Sequence, residues 1–255
     1  MIGVFDSGIG GLAVLGLLRK AYPAADLLYY ADTARLPYGG RSPSLIRRFA
    51  KEAGERFFGR GADFVLVACG TVSSLALDEF KAAANCPVAG VVLPAVETIA
   101  QSGARRVLIL STEATARSRV FEAALAEKRP EVETLSLGCP LFVPLVENGC
   151  FSANDPALLS LVGRTLSPGQ TFFPDAILLG CTHFRLLSPL ISRLFTGVPV
   201  FDCGEAAAGA VPEAFGQGNG TLRVLVSDDP DRFRLAATRT GSLSRGVPVG
   251  SVAEE

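Results

Sequence analysis

Two apolar runs, Phe64 to Ala68 and Ala176 to Gly180, each lead into a cysteine at a turn, as Cys69-Gly70-Thr71 and Cys181-Thr182-His183. Short apolar runs bounded by turn residues read as strands buried on both faces, the pattern of a parallel sheet covered by helices. In such a sheet the carboxyl end of a strand is where the chain turns into a helix and where ligands bind. Two thiols therefore share one address, and they are expected to form a paired site. His183, the only histidine among 255 residues, follows the second thiol by two positions. A thiol needs a neighbour of that kind to ionise near neutral pH.

The rest of the chain alternates in the same way. Ile2 to Phe5 reads as a buried strand, and Asp6-Ser7-Gly8-Ile9-Gly10-Gly11 as a glycine-rich turn into a helix that ends near Ala21, before Pro23. A strand at Leu27 to Tyr30 and a polar loop from Asp32 to Gly40 follow. Ser42 with Pro43 is a good N-cap and first-turn pair. Leu45, Phe49, Ala53 and Phe57 then recur every four residues, the spacing of a helix face turned to a core. The Cys69 strand, a helix over about 73–84 and a strand over 87–92 complete one series. A second runs through strands at 107–110 and 134–137, helices near 116–128 and 157–166, and the Cys181 strand with its helix to Phe195. A strand at 221–226 and a helix after Asp229-Pro230 close the chain. The expected fold is α/β, with two similar lobes, each a mainly parallel sheet flanked by helices, and a site in the cleft between them. Residues 1–95 with the returning segment 206–255 are expected to form the first lobe, and 96–205 the second.

Composition excludes several classes. With 49% hydrophobic and 19% charged residues the chain buries a large core and is not disordered. A net charge of −1 gives no reason to expect nucleic acid or an anionic membrane as a partner. The start, Met1-Ile2-Gly3-Val4-Phe5-Asp6, lacks the basic segment and long apolar core of a signal peptide. No uncharged apolar run reaches the ~18 residues of a membrane span. A cytoplasmic protein is expected. None of the six cysteines falls in a CxxC pair, which argues against structural zinc, and free thiols are expected.

The chemistry open to two opposed thiols is specific. Moving a proton from one face of a carbon to the other needs two groups flanking it, one a base and one an acid. A cysteine of ordinary pKa near ~8.5 is only a few per cent ionised at neutral pH, so one thiol must be helped to become thiolate. Both cysteines precede expected helices, whose N-terminal N–H groups favour thiolate, and an imidazolium at His183 would add to that. A carboxylate cannot stabilise a thiolate by charge. Asp6, at the turn after the first strand, would therefore relay a proton or hold an ammonium group. Gly8-Ile9-Gly10-Gly11 satisfies neither the dinucleotide nor the phosphate-loop pattern. Cys86, Cys139, Cys150 and Cys203 have no strand-end context of this kind and read as structural.

Several strings, taken together and in order, closely resemble the glutamate racemase family: Gly3-Val4-Phe5-Asp6-Ser7-Gly8-Ile9-Gly10-Gly11, Asp32-Thr33-Ala34-Arg35-Leu36-Pro37-Tyr38-Gly39, Cys139 to Glu147, Gly180-Cys181-Thr182-His183, and Ser227-Asp228-Asp229-Pro230 with Phe233. The resemblance spans nearly the whole chain. It implies cofactor-independent interconversion of L- and D-glutamate in the cytoplasm, by a homodimer, with the D form feeding peptidoglycan synthesis. Carried over position by position, Cys69 and Cys181 are the acid/base thiols, and Asp6, Glu147 and His183 assist them. Ser7, Pro37, Tyr38, Gly39, Gly70, Thr71, Thr115 and Thr182 stand where the family contacts substrate, and no metal is implied.

The departures bear on efficiency and substrate choice. The family usually reads Cys-Asn-Thr where this chain has Cys69-Gly70-Thr71, and the missing amide is expected to remove a hydrogen bond worth ~1.5 to 3 kcal/mol. Phe184-Arg185 replaces the usual Tyr-Pro, and Leu93-Pro94-Ala95 replaces a motif more often ending in glycine. A bulky Phe184 or Leu93 could fill the vacated volume. A related amino-acid racemase of altered specificity is the second reading. The third is a binding or regulatory homologue that has lost turnover through Gly70.

Overall fold

A computed structural model describes residues 1–241, Leu243 and 247–252. Its ten strands are β1 (Ile2–Asp6), β2 (Leu27–Ala31), β3 (Phe64–Val67), β4 (Val88–Gly90), β5 (Arg106–Ser111), β6 (Glu133–Gly138), β7 (Ala176–Leu179), β8 (Val200–Asp202), β9 (Leu222–Val226) and β10 (Val249–Ser251). Six form one sheet in the order β10-β9-β2-β1-β3-β4, and four form a second in the order β6-β5-β7-β8. Every pairing is parallel. This is the expected α/β class with two parallel sheets flanked by helices.

The strands that read as continuous apolar runs lie at the centre. β1, β2, β3 and β7 are buried along their whole length, while the edges β4, β6 and β8 are partly exposed. Parallel strands need crossover connections long enough for a helix, and the helices cover the sheet faces. The helix Pro43–Phe58 shows the local logic. Ser42 accepts a hydrogen bond from the Leu45 N–H, Pro43 occupies the first turn, and Ile46, Phe49, Ala50, Ala53 and Phe57 are buried. Each large apolar side chain buried this way is worth about 1.5–3 kcal/mol. Leu45, expected on that face, is only partly buried at its rim.

A single apolar cluster runs from Leu12, Val14 and Leu15 beside the six-stranded sheet, through Ala95, Val96 and Ile99, to Val107, Leu108 and Ile177 of the four-stranded one. The helix Val92–Gln101 packs against both Val120–Lys128 and Cys203–Gly209, and Leu12–Ala21 packs against Cys203–Gly209. The two sheets are thus joined by a shared core, with their carboxyl ends turned to common ground.

Four expected elements differ, the first being the helix after Cys181, which opens as a 3-10 turn over Thr182–Leu187 and becomes α-helical only over Ser188–Leu194. The helix over 73–84 is two helices, Gly70–Leu75 and Leu77–Ala84, because Ala76 leaves helical backbone at φ −152°. The strand over 87–92 is only Val88–Gly90: Val91 is already helical and Val92 opens the helix to Gln101, with Pro94 in its first turn, where a missing N–H costs nothing. The helix near 116–128 starts earlier, at Glu113, and is broken at Arg119, which takes a left-handed conformation. The short helices Phe142–Glu147 and Cys203–Gly209 and the strands β8 and β10 are too short to show a clear period in sequence. Among the described residues no helix is long and apolar enough to cross a membrane.

Candidate active site

The strand-end address is filled five times. Asp6 ends β1, Asp32 follows β2, Cys69 lies two residues beyond β3, Thr112 follows β5 and Cys181 lies two residues beyond β7. All five are buried. The strand ends after β3 and β7 touch. A Cβ placed on Gly70 would lie 2.3 Å from the Gly180 carbonyl oxygen and 3.6 Å from the Cys181 Cα. The thiols stand close enough for the charge of one to bear on the other.

Around Cys181 the geometry forms a chain. The sulfur lies 3.9 Å from His183 Nδ1, and His183 Nε2 is 2.6 Å from Glu147 Oε1. Glu147 Oε1 also accepts the Ile9 N–H at 2.9 Å, which fastens the glycine-rich turn of one lobe to the helix end of the other. Burial alone would lower the His183 pKa. Its contacts with Cys181 and Glu147 outweigh that and raise it well above the ordinary value, so the ring is held as imidazolium. That cation beside the sulfur is what a thiolate requires. Gly10 permits the approach, since a Cβ there would fall 2.4 Å from His183 Nδ1.

Around Cys69 the surroundings are different. Its thiol donates to Ser7 Oγ at 3.8 Å. Burial, with the Asp6 charge adding to it, pushes the thiol up to about 12, and the Val72 N–H opposes this only in part. This corrects one expectation: the helix after Cys69 supplies a stabilising N–H, but it is six residues long and desolvation prevails. The pair is therefore asymmetric, with a protonated thiol at Cys69 and a cation-supported sulfur at Cys181. Asp6 lies between them. Its Oδ1 accepts the Gly8 N–H at 2.9 Å and its Oδ2 accepts the Thr182 hydroxyl at 3.1 Å across the lobes. Burial raises its pKa against the lowering influence of His183.

The remaining candidates fall into two groups. Ser7, Thr71, Thr115 and Thr182 are buried in the site, and Gly39 and Gly70 line its edge with backbone. The Gly39 carbonyl accepts the Ala114 N–H at 3.0 Å, another link between lobes. Pro37 is exposed, after a cis bond from Leu36. Tyr38 turns its ring into the core against Phe5 and Phe49 and donates its hydroxyl to Asp32, so its side chain is not free to contact a ligand. Nor do Phe184 or Leu93 fill the space beside Gly70: Phe184 packs on Phe142, Leu93 is 66% exposed, and the Gly180 carbonyl occupies that place. Cys139 and Cys203 are buried, as structural cysteines would be, whereas Cys150 is exposed and has no packing role. All six thiols are free. Among the described residues no three His, Cys, Asp or Glu side chains converge as metal ligands.

Two residues were missed. Thr112 caps the helix Glu113–Ser118, and its hydroxyl lies 3.1 Å from those of both Thr71 and Thr115, joining candidate ligand groups of the two lobes. Asp32, fully buried, accepts from Arg35 Nε at 2.6 Å, from Ser227 Oγ at 2.8 Å and from Tyr38, fixing the Pro37-Tyr38-Gly39 loop. Both occupy the strand-end address, the signal by which the thiols were found.

Residues 12–211 match the Asp/Glu/Hydantoin racemase family. The chain belongs to this family. A glutamate racemase of Aquifex aeolicus is 40% identical, over 89% of this chain and 88% of the relative. Among solved structures, glutamate racemase from Francisella tularensis in complex with D-glutamate superposes with a TM-score of 0.89 at 28% identity, over 98% of this chain and 95% of that one. Glutamate racemase from Thermus thermophilus in complex with β-chloro-D-alanine gives 0.81 at 36% identity, over 100% and 98%. Both of these solved structures thus share this chain's fold over almost its whole length.

Proposed function

We propose that the protein interconverts L- and D-glutamate by a two-thiol transfer of the Cα proton. The observation that carries this reading is the asymmetric pair: one sulfur beside an imidazolium, the other a protonated thiol, at facing strand ends. In that state the Cys181 thiolate removes the Cα proton from one face, breaking Cα–H and forming S–H. Cys69 then delivers its proton to the opposite face and is left as thiolate. The opposite enantiomer is taken by the enzyme in the second state, with the roles exchanged. Glu147 holds His183 in place and positive, and Asp6 relays or accepts a proton near Cys69. Ser7, Thr71, Thr115 and Thr182, with the backbone of Tyr38, Gly39 and Gly70, hold the substrate's carboxylates and ammonium group. The relatives named above support glutamate as substrate. The same resemblance supports action without a cofactor, a cytoplasmic location, a homodimer and a place in supplying D-glutamate for peptidoglycan.

A related amino-acid racemase of altered specificity is the second reading, favoured by Gly70, which offers no side-chain amide. Incubating L- and D-glutamate separately in deuterium oxide, with no added cofactor, tests both. Proton NMR and chiral analysis should show Cα deuteration and the opposite enantiomer from either start, converging on equal amounts. Turnover of aspartate but not glutamate selects the second reading, and turnover of neither overturns the proposal.

A further inference from the structure

The two-thiol reading, on which this inference rests, leaves a proton problem. Each turnover ends with the proton on the thiol that began as thiolate. Before the same enantiomer is processed again, one thiol must lose a proton and the other must gain one. All the groups that could do this are enclosed: Asp6 is 1% exposed, Cys69 4% and Cys181 5%. Along the Cys181 chain exposure rises outward, with the His183 side chain at 3% and that of Glu147 at 13%. Glu147 forms part of the wall of a cavity of about 160 Å³, bounded also by Thr33 and Leu36 from the loop after β2 and by Asp228, Arg232 and Ala236 around the C-terminal helix Pro230–Arg239.

Hydroxyl, carboxylate and guanidinium groups around this cavity suit it to water, which occupies about 30 Å³ per molecule in the liquid. Glu147 links this cavity to the site, since its side chain lines the cavity while its Oε1 is engaged by His183 and Ile9. We infer that this cavity is a water port through which the closed site exchanges protons with solvent, by way of Glu147 and His183. Cys69 is served through Asp6, whose charge bears on that thiol and whose Oδ2 accepts the Thr182 hydroxyl at 3.1 Å; that hydroxyl and His183 Nδ1 both lie against Gly10. The port serves the return of the free enzyme to its starting protonation state, not the Cα chemistry itself.

Filling the cavity from a wall that touches neither thiol tests this. Ala236→Phe projects a ring into it, Arg232→Trp covers it from an exposed position, and Ala236→Ser leaves it open. The assay supplies Cα-deuterated L-glutamate together with 13C-labelled D-glutamate in ordinary water, and mass spectrometry counts deuterium carried onto the 13C label. A deuteron taken by one thiol and not lost to solvent is delivered to the next molecule of opposite hand. Carry-over should rise at least about threefold in Ala236→Phe or Arg232→Trp, with kcat and KM falling together at constant kcat/KM, and should match wild type in Ala236→Ser. Wild-type carry-over in a folded, racemising Ala236→Phe or Arg232→Trp overturns the port alone. No racemisation by the wild type overturns the underlying function, and the port with it.

Discussion

Gly70 stands where the sequence resemblance leads one to expect asparagine, and its surroundings determine the effect of placing a side chain there. Its backbone is helical, so glycine is not required there for conformational freedom. It is required because the other lobe comes too close. A Cβ would sit 2.3 Å from the Gly180 carbonyl oxygen, about 1.1 Å short of ordinary contact. That carbonyl cannot easily yield: the Gly180 N–H donates to Leu110 at 2.8 Å, and Phe121 fills the space on its other side. Overpacking of this kind costs about 1–3 kcal/mol, so Gly70→Asn should lower kcat/KM for glutamate about 5- to 150-fold. The ~1.5 to 3 kcal/mol that an amide hydrogen bond to substrate supplies is not recovered if the lobes cannot close around it. Gly70→Ala isolates the steric effect. Alanine favours the helix by up to about 1 kcal/mol, which offsets at most the low end of that overpacking cost, so thermal stability should hold or fall while kcat/KM falls. Steady-state kinetics in both directions with parallel melting curves gives the answer. A rise in kcat/KM for Gly70→Asn would refute the reasoning and restore the view of a degraded amide site.

Two further outcomes follow from the asymmetry of the thiols. At pH 8 a thiol held near 12 is ionised in only about one molecule in ten thousand, so iodoacetamide should alkylate Cys181 before Cys69, with exposed Cys150 ahead of both. Timed peptide mass spectrometry reads the order, and Cys69 preceding Cys181 would contradict the assignment. His183 has a raised pKa in the folded protein, so its imidazolium stabilises the fold fully below the unfolded value near ~6.5 and loses that contribution as pH climbs through the native value. The Tm difference between wild type and His183→Asn should therefore shrink from pH 6 to pH 10, and a difference that widens would contradict the imidazolium.

Much of this architecture was legible because parallel strands buried on both faces write themselves as apolar runs. β1, β2, β3 and β7 were placed within a residue or two, and the site emerged from what stood at their ends. Thr112 and Asp32 stand in equivalent places, but threonine and aspartate are common at turns and, unlike the paired thiols of Cys69 and Cys181, suggest no chemistry by themselves. The breaks at Ala76 and Arg119 were not legible, because neither residue type marks a helix end and the interruptions come from tertiary packing. Val91 and Val92 misled in the opposite direction: β-branched residues suggested a strand where packing against the shared core sets a helix. The burial that keeps Cys69 protonated was likewise beyond one dimension. Helix position could be read from the chain, whereas the depth that outweighs it could not. The closeness of Gly70 to Gly180, which links residues 110 positions apart, belongs to the same class.

In the proposed mechanism Cys69 and Cys181 are the two proton carriers, one for each face of Cα. Glutamate racemisation is therefore to be measured in Cys69→Ala and Cys181→Ala, with Cys139→Ala and Cys203→Ala as controls for loss of a buried thiol. Chiral chromatography from each enantiomer should show turnover abolished in the first two proteins and largely retained in the second two. Wild-type turnover in either Cys69→Ala or Cys181→Ala would contradict the two-thiol mechanism.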